Sequence, residues 1–324
     1  MKVYVTRKIP QEAISLLDPH FDISIWPEEN TAVPRDVLLK EVENAQGLLS
    51  LLTEKIDHEL LEAGKNLRIV ANMAVGYDNI DVAVCTQKGV IVTNTPGVLT
   101  DATADLAFAL LMAAARRIPE AQDYLKRGMW KTWSPMLLTG QEVWGATIGI
   151  VGMGRIGMAV ARRAKGFNMR ILYSSPRPNR QAEKELKAEH RGLADLLRES
   201  DFVSLHVPLT PETRGLIGEK ELKLMKPTAV LINTARGQVV DENALVEALR
   251  LRKIWAAGLD VFQQEPLSLR SPLLELDNVV LLPHIGSATI KTRTQMAVIA
   301  ASNIKQYLLT GKPVTPVNPE ACAK

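Results

Sequence analysis

The chain has 324 residues, a formal net charge of +3, 46% hydrophobic residues and 23% charged residues, the values of an ordinary globular protein. Its length exceeds what one hydrophobic core usually serves, so we expect two domains. The small net charge and the lack of a long Lys/Arg block argue against a nucleic-acid partner. Cys85 and Cys322, the only cysteines, are too few for a metal cluster or a disulfide framework.

The N-terminal residues enter a strand pattern at residues 3–6 without the apolar core of a signal peptide. The longest apolar run, residues 106–115, is too short to cross a bilayer. We therefore expect a protein of the reducing cytoplasm that has no membrane partner.

The first part of the chain alternates short apolar strands with helix patterns, which predicts a parallel sheet covered on both faces. The predicted strands are residues 3–6, 23–26, 47–52, 68–72 and 90–93, and the predicted helices lie near residues 10–18, 34–43, 57–63 and 80–87. A long helix is then expected from Thr100-Asp101 through residues 102–117.

A second alternating series begins at Ala146. Its predicted strands lie near residues 146–151, 169–173, 202–207, 228–232, 256–260 and 278–282. A last helix pattern, near residues 288–309, is predicted to return to the first domain and pack there. The sequence thus predicts an α/β fold with two doubly wound parallel-sheet domains. The flavodoxin-like domain is discontinuous, residues 1–98 plus 287–324, and the Rossmann domain is residues 99–286.

Residues 119–146 fit neither series, and we treat them as an arm. The arm contains Trp130, Trp133 and Trp144, three of the five tryptophans, in a polar stretch broken by prolines. Exposed rings of this kind are typical of a contact surface, which predicts a homodimer. The alternative is a small private core beneath the loop.

A glycine-rich turn, Gly152-Met153-Gly154-Arg155-Ile156-Gly157, joins the first strand of the second series to an alanine-rich helix pattern. Gly152 permits a tight turn, Gly154 lets the backbone approach a pyrophosphate, and Gly157 lets the helix pack close to the strand. The N–H groups at the start of the helix, at Arg155 and Ile156, would face the phosphates. This context predicts a bound dinucleotide.

The next strand, residues 169–173, ends without the acid that would select NAD through the ribose 2′-hydroxyl. The chain continues instead with Ser174, Ser175, Arg177 and Arg180, where a 2′-phosphate would lie. Because guanidinium groups match phosphate geometry, this loop favours NADPH and leaves NADH a weaker cofactor. The alternative is that both arginines are solvated surface residues.

Arg236, Glu265 and His284 each follow one of three later predicted strands, at the sheet edge where ligands of open parallel sheets bind. Each alone has an ordinary explanation, as a surface ion pair, a helix-start acid or a core histidine. Together they make a reaction centre suited to a carbonyl compound that bears a carboxylate.

Four motifs in order resemble those of the D-2-hydroxyacid dehydrogenase family, and the resemblance covers essentially the whole chain. They are the glycine-rich turn, Asn233-Thr234-Ala235-Arg236-Gly237, Gly258-Leu259-Asp260-Val261-Phe262 followed by Glu265-Pro266, and Pro283-His284-Ile285-Gly286-Ser287. The resemblance implies an NAD(P)-dependent enzyme whose catalytic residues are Arg236, Glu265 and His284, with the flavodoxin-like domain binding the substrate and the Rossmann domain the cofactor.

The same resemblance implies further contacts. Asp260 matches the residue that orients the nicotinamide amide, and Thr103 matches the one that meets the pyrophosphate. The loop at residues 74–79 matches the one whose backbone N–H groups hold the substrate carboxylate. Further expected cofactor contacts are His206, Pro208, Thr213, Thr234, Ala235 and Gly286, and the expected substrate contacts are Leu51, Val75, Gly76, Trp133, Arg236, His284 and Ser287.

Within the family, residues 130–135, residues 284–289 and the acid-free loop after Tyr173 resemble glyoxylate/hydroxypyruvate reductases. In that branch the arm tryptophan that matches Trp133 reaches the active site of the partner subunit. Bacterial 2-ketogluconate reductases share much the same features, so the chain length of the substrate stays open.

The implied reaction is reduction of a small 2-oxo acid to its D-2-hydroxy acid. Arg236 would clamp the substrate carboxylate, His284 would protonate the alkoxide, and Glu265 would hold the imidazole. Formate dehydrogenases carry Gln in place of Glu265, and phosphoglycerate dehydrogenases usually carry an acid after the second strand. A corepressor family that resembles these enzymes retains the three residues, so a nucleotide-sensing binding protein is the non-enzymatic alternative.

Overall fold

The computed structural model describes residues 1–323. The chain divides into two compact units, Met1–Leu99 with Ser287–Lys324, and Thr100–Gly286. The sequence predicts the first boundary one residue earlier, after residue 98. Lys324, which ends the predicted flavodoxin-like domain, lies outside the described residues.

The helices and strands alternate along the chain, as a doubly wound fold requires. Up to the first boundary they are β1 (Lys2–Val5), α1 (Gln11–Leu17), β2 (Asp22–Ile25), α2 (Arg35–Val42), β3 (Gly47–Ser50), α3 (His58–Ala63), β4 (Ile69–Asn72), α4 (Val82–Gln87) and β5 (Ile91–Thr93). The second unit contains α5 (Thr100–Ala115), α6 (Ile118–Lys126), β6 (Thr147–Val151), α7 (Arg155–Gly166), β7 (Arg170–Ser174), α8 (Arg180–Leu186), β8 (Glu189–His190), α9 (Leu193–Glu199), β9 (Phe202–Leu205), α10 (Glu219–Leu224), β10 (Val230–Asn233), α11 (Glu242–Arg250), β11 (Ala256–Leu259) and β12 (Val279–Leu281), and the chain returns to the first unit with α12 (Ile290–Thr310).

The sheet of the first unit is parallel throughout and has the order β2-β1-β3-β4-β5, which is the flavodoxin-like order. Its central strands β3 and β4 are buried along their whole length, as expected for a sheet with helices on both faces. One face packs against α1 and α12, and the other packs against α2, α3 and α4. The first half of the predicted fold class is confirmed.

The sheet of the second unit is also parallel, in the order β12-β11-β10-β9-β6-β7-β8. The strand order reverses between β6 and β9, which is the switch point where a Rossmann sheet binds its ligand. The alanine-rich α5 packs against α7, β10 and β11, because its small side chains let helix and sheet approach closely. The predicted Rossmann architecture is confirmed.

The predicted arm contains one regular element that its sequence pattern does not predict. Residues 118–126 form α6, with Pro119 in the first turn, where the missing proline N–H costs the helix nothing. None of the residues of α6 is buried. Its apolar side chains Ile118 and Leu125 are 51% and 58% exposed.

The three tryptophans of the arm are solvent-exposed in the single chain. Trp130, Trp133 and Trp144 are 57%, 76% and 62% exposed, so the alternative of a private core beneath the arm is wrong. Exposed indoles of this size are typical of surfaces that another chain covers. Among the described residues, no helix has the length and apolar character needed to cross a membrane.

Candidate active site

The sheet of the second unit brings three reactive side chains to one edge. The strands β10, β11 and β12 are neighbours and lie in parallel register. Arg236 follows β10, Glu265 follows β11 and His284 follows β12. Because the carboxyl ends of parallel strands meet at the same edge, these side chains collect where Rossmann sheets bind ligands.

Glu265 and His284 form a tight pair. Nδ1 of His284 lies 2.6 Å from Oε2 of Glu265, and Oε1 of Glu265 accepts a hydrogen bond of 3.0 Å from the backbone N–H of Phe262. Since an ionised carboxylate only accepts, Nδ1 carries the shared proton. Nε2 makes no hydrogen bond within the described part of the chain, so it is the nitrogen left to act on a ligand.

Glu265 is held in its ionised form. Burial alone would raise the pKa of its carboxyl group, but the hydrogen bond and charge of His284, the N–H of Phe262 and the charge of Arg236 together lower it below its ordinary value. The influence of Arg236 shows that its guanidinium lies near this pair. The three side chains therefore form one electrostatic group.

A buried carboxylate fixes the backbone around His284. Asp260 is 1% exposed, and its two oxygens each accept a 2.7 Å hydrogen bond, from the N–H groups of Ile285 and Gly286. Burial raises the pKa of Asp260, with the Ile285 N–H and the charge of His284 acting in the opposite direction. His284 donates its own N–H to the Asp260 carbonyl at 3.0 Å and has a φ of +54°, in the left-handed region.

Asn233, which sequence reasoning did not select, positions the loop that carries Arg236. Its side chain accepts from the N–H of Ala235 at 3.0 Å and donates to the Arg236 carbonyl at 2.9 Å. An Asn at a strand end that bonds its own backbone two residues on is a recognised turn device, so this signal was available in the sequence. A side chain at Gly237 would overlap the backbone of Phe262, so the Arg236 loop packs directly on the loop that leads to Glu265.

The glycine-rich turn between β6 and α7 has the shape that its three glycines predict. Gly152 has a φ of +98°, and a Cβ at Gly157 would lie 2.2 Å from the Gly152 carbonyl oxygen. A Cβ at Gly154 would meet no atom within 4 Å, so the backbone there is open to a ligand. The first turn of α7, with Arg155 and Ile156, has no side-chain cap, so its N–H groups face that open space.

The loop after β7 lies beside this turn. Gly152 donates its N–H to the carbonyl of Ser174 at 2.8 Å, and Ser175 donates its hydroxyl to the carbonyl of Arg177 at 2.6 Å. The side chains of Arg177 and Arg180 are exposed, and neither makes a hydrogen bond or ion pair with any residue in 1–323. Two guanidiniums without acidic partners are therefore available to a phosphate.

Asn179 connects the two loops, and sequence reasoning did not select it. Its side chain donates to the Met153 carbonyl at 2.9 Å and accepts from Ala182 at 3.1 Å, which caps α8. Its N–H donates to the hydroxyl of the buried Tyr173 at 2.8 Å. Asn179 thus fixes the position of the glycine-rich turn relative to the start of α8, the helix that carries Arg180.

The remaining predicted cofactor residues occupy the same unit. Thr234 has a buried hydroxyl with no hydrogen-bond partner among the described residues, which destabilises a fold unless a ligand or water satisfies it. Burial lowers the pKa of His206 to about 4, so this imidazole is neutral at pH 7, and it bonds Ser204 at 2.8 Å. Thr213 donates to the Pro208 carbonyl at 2.6 Å, and Thr103 is buried beside Gly286.

The predicted carboxylate loop belongs to the first unit and follows β4. The N–H groups of Val75 and Gly76 have no acceptor within the described chain, whereas the carbonyls of both residues are hydrogen-bonded by side chains. Two consecutive unpaired N–H groups are donors that can bind an anion. Leu51 donates its N–H to the carboxylate of the buried Glu54 at 2.7 Å. Ser287 is the first residue of the segment with which the chain returns to this unit.

Comparison with known proteins identifies a family. The sequence profile of "D-isomer specific 2-hydroxyacid dehydrogenase, NAD binding domain" matches residues 108–286. A glyoxylate reductase of Korarchaeum cryptofilum is 54% identical over 321 residues, which cover 98% of this chain and 96% of that protein.

Two solved structures are similar over nearly their whole length. A protein of Thermus thermophilus has a TM-score of 0.92 and 45% identity, with 98% of this chain and 100% of that chain covered. An NADPH-dependent glyoxylate/hydroxypyruvate reductase of Sinorhizobium meliloti, in complex with NADP and malonate, has a TM-score of 0.84 and 35% identity, with 99% and 97% covered.

Proposed function

The chain belongs to the D-isomer specific 2-hydroxyacid dehydrogenase family and is an NAD(P)-dependent dehydrogenase, and we propose that it reduces glyoxylate and hydroxypyruvate to D-2-hydroxy acids with NADPH as preferred cofactor. The observation that carries this proposal is the Glu265–His284 pair, with Arg236 nearby, at the ends of three neighbouring strands. The glyoxylate reductase of Korarchaeum cryptofilum supports the choice of substrate. The cytoplasmic location expected from the sequence is part of the same proposal.

The second unit fits a dinucleotide by three independent features. These are the open backbone at Gly154, the uncapped start of the twelve-residue α7, and the unsatisfied hydroxyl of Thr234. Gly152, Gly154, Arg155 and Ile156 would hold the pyrophosphate. When bound, the reduced nicotinamide supplies the hydride for the carbonyl carbon.

The proton would come from His284. Its Nδ1 is occupied by Glu265, so Nε2 would donate to the carbonyl oxygen as that oxygen gains negative charge. Glu265, which stays ionised, would pair through Nδ1–H with the imidazolium from which the Nε2 proton leaves, and it would keep the ring in one orientation. The hydrogen bonds from Ile285 and Gly286 to Asp260 would keep the loop that carries His284 in place during this transfer.

The remaining groups would bind the carboxylate of the substrate. The unpaired N–H groups of Val75 and Gly76 would bind it, and the planar guanidinium of Arg236 would bind and polarise the oxo acid. Leu51, Ser287 and, from a partner subunit, Trp133 complete the proposed substrate contacts.

Cofactor preference rests on the loop after β7. Ser174, Ser175, Arg177 and Arg180 would bind the 2′-phosphate, since this loop has no acid to accept from a ribose hydroxyl. The Sinorhizobium meliloti reductase is named as NADPH-dependent and was solved with NADP, which supports this choice.

The exposed tryptophans support a homodimer. Trp133, at 76% exposure, has the largest exposed fraction of the three in the arm, and a buried interface Trp often contributes more than about 2 kcal/mol of binding free energy. Sedimentation of the wild type and of Trp133→Ala tests this: we expect a dimer that weakens in the variant. A fully active wild-type monomer would refute the role of the arm.

Turnover with a panel of 2-oxo acids tests the proposed reaction. Glyoxylate, hydroxypyruvate, pyruvate and 2-ketogluconate are compared with NADPH and NADH, and kcat/KM is measured for each pair. We expect glyoxylate and hydroxypyruvate to lead, with NADPH ahead of NADH. A higher kcat/KM for 2-ketogluconate would show that the enzyme prefers a substrate with a longer carbon chain. The absence of any turnover would contradict the proposed reaction.

A further inference from the structure

Two asparagine side chains hold consecutive carbonyl groups of the loop that follows β4. Nδ2 of Asn94 donates to the Val75 carbonyl at 2.8 Å, and Nδ2 of Asn72 donates to the Gly76 carbonyl at 3.0 Å. Asn72 is fully buried, and Asn94 follows the neighbouring strand β5. The loop is therefore held from two strand ends.

Holding a carbonyl group also orients an N–H group. In a planar trans peptide the C=O of one residue and the N–H of the next point in opposite directions. Asn94, by holding the Val75 carbonyl, sets the direction of the Gly76 N–H, and Asn72 does the same for the Tyr77 N–H. The Gly76 N–H is one of the unpaired donors of the proposed carboxylate site.

Asn94 is in turn held by the C-terminal tail. The hydroxyl of Thr315 donates to the Asn94 carbonyl at 2.6 Å, and the Asn94 N–H lies 3.4 Å from the Thr315 carbonyl oxygen. The same hydroxyl accepts from the side chain of Asn303, at 2.9 Å. Asn303 is completely buried in α12, and its Oδ1 also accepts from the N–H groups of Val314 and Thr315.

We propose that Thr315 and Asn94 are positioning residues for the substrate: the C-terminal tail, through a hydrogen-bond chain from Asn303 to Thr315 to Asn94 to Val75, orients the Gly76 N–H that binds the substrate carboxylate. This inference rests on the proposed function, which assigns the carboxylate to that loop. It predicts that a change in the tail alters the affinity for 2-oxo acids and leaves the reaction centre of Arg236, Glu265 and His284 unchanged.

The tail offers a matched control. Asn318, also fully buried, holds the tail farther along, with Nδ2 donating to the Thr86 hydroxyl at 2.9 Å and Oδ1 accepting from Val92 at 2.7 Å. No hydrogen bond of the described chain leads from Thr86 to Asn94. Thr86→Val therefore removes a comparable tail contact and leaves the chain to Val75 intact.

Steady-state kinetics of Thr315→Val, Thr315→Ser and Thr86→Val test the proposal. Loss of one such hydrogen bond corresponds to about a three- to tenfold change in affinity. We expect Thr315→Val to raise the KM for glyoxylate by that factor, with kcat and the KM for NADPH unchanged. Thr315→Ser, which keeps the hydroxyl, should restore the wild-type KM, and Thr86→Val should leave it unchanged. Equal KM values in Thr315→Val and Thr86→Val would overturn the proposal.

An NMR measurement separates this proposal from the proposed function. In protein labelled with 15N-glycine, the Gly76 amide signal is identified by its loss in Gly76→Ala. We expect Thr315→Val to shift this signal and to reduce its response to added oxalate, while Thr86→Val does neither. An unshifted Gly76 signal in Thr315→Val refutes the orienting chain even if glyoxylate is a substrate. A shift of the Gly76 signal in Thr315→Val, together with a wild type that reduces no 2-oxo acid, supports the chain and refutes the proposed function alone.

Discussion

The reaction centre and the cofactor loop of the second unit use charge in opposite ways. At the reaction centre, Glu265 and His284 hold each other at 2.6 Å and the backbone around them is anchored to a buried carboxylate. In the loop after β7, the guanidiniums of Arg177 and Arg180 are exposed and have no hydrogen-bond or ion-pair partner in residues 1–323. Proton transfer needs a group already in place, whereas recognition of a phosphate needs a charge that no neighbouring acid has neutralised.

Two arginines at the ends of β7 and β8 have acidic partners, unlike those of the loop. Arg170, at the start of β7, and Arg191, directly after β8, are both ion-paired with Glu189 and Glu199. Glu189 and Glu199 thus neutralise Arg170 and Arg191, whereas the guanidinium of Arg177 has no ion-pair partner in residues 1–323. Single substitutions can separate the two regions experimentally.

Removal of the imidazole should have the largest effect. We expect His284→Ala to lower kcat about 100- to 10,000-fold, the usual contribution of general acid catalysis, and to leave the Kd for NADPH nearly unchanged. Stopped-flow single turnover and fluorescence titration of NADPH measure the two quantities. A variant with nearly full kcat would remove His284 from the mechanism.

Arg236→Lys keeps the positive charge and removes the planar fork. Because Lys cannot make a bidentate contact with a carboxylate, we expect kcat/KM for glyoxylate to fall about ten- to a hundredfold. The KM for NADPH should not change. Unchanged kinetics with glyoxylate would assign Arg236 to a structural role.

Replacement of the loop guanidinium should affect the cofactor alone. We expect Arg177→Ala to lower kcat/KM for NADPH about tenfold and to leave the value for NADH unchanged, because only NADPH carries the 2′-phosphate. Arg170→Ala is the matched control: its guanidinium is ion-paired, so both values should stay at the wild-type level. A wild type that prefers NADH would contradict the phosphate-binding role of this loop.

The smallest effect concerns stability at acid pH. The pKa of Glu265 is lower in the folded chain than its ordinary value of 4.5, so its interactions stabilise the fold above that pH and are lost as the pH falls through the lower folded pKa. We expect the difference in Tm between wild type and Glu265→Gln to be present above pH 4.5, the ordinary pKa of the carboxyl group, and to shrink as the pH falls below it. Calorimetry across this range measures it, and a difference independent of pH would contradict the ionised pair.

The sequence predicts both sheets and the position of the reactive side chains well. Alternating apolar strands and helix patterns are local signals, and parallel topology then brings Arg236, Glu265 and His284 to one edge. The two-residue β8 was not predicted, because Glu189 and His190 have no apolar pattern and owe their strand geometry to pairing with Leu172 and Tyr173.

The side chains that hold the site in place were harder to predict. Asn179 acts on Met153, 26 residues away, and Thr315 acts on Asn94, 221 residues away. No spacing rule connects residues at such separations, because their contact depends on the packing of complete elements. An Asn at the end of a strand, such as Asn94 or Asn233, signals a turn, but its partner becomes known only from the fold.

The left-handed backbone at His284 has a consequence for how this protein could evolve. A residue with a Cβ at a φ of +54° is less stable there than glycine, by about 1 kcal/mol. Exchange of His284 for Gly would remove this backbone cost and, with it, the hydrogen bond to Glu265. The reacting histidine is thus kept at a position whose backbone conformation favours glycine, because its side chain both holds Glu265 and is needed for turnover.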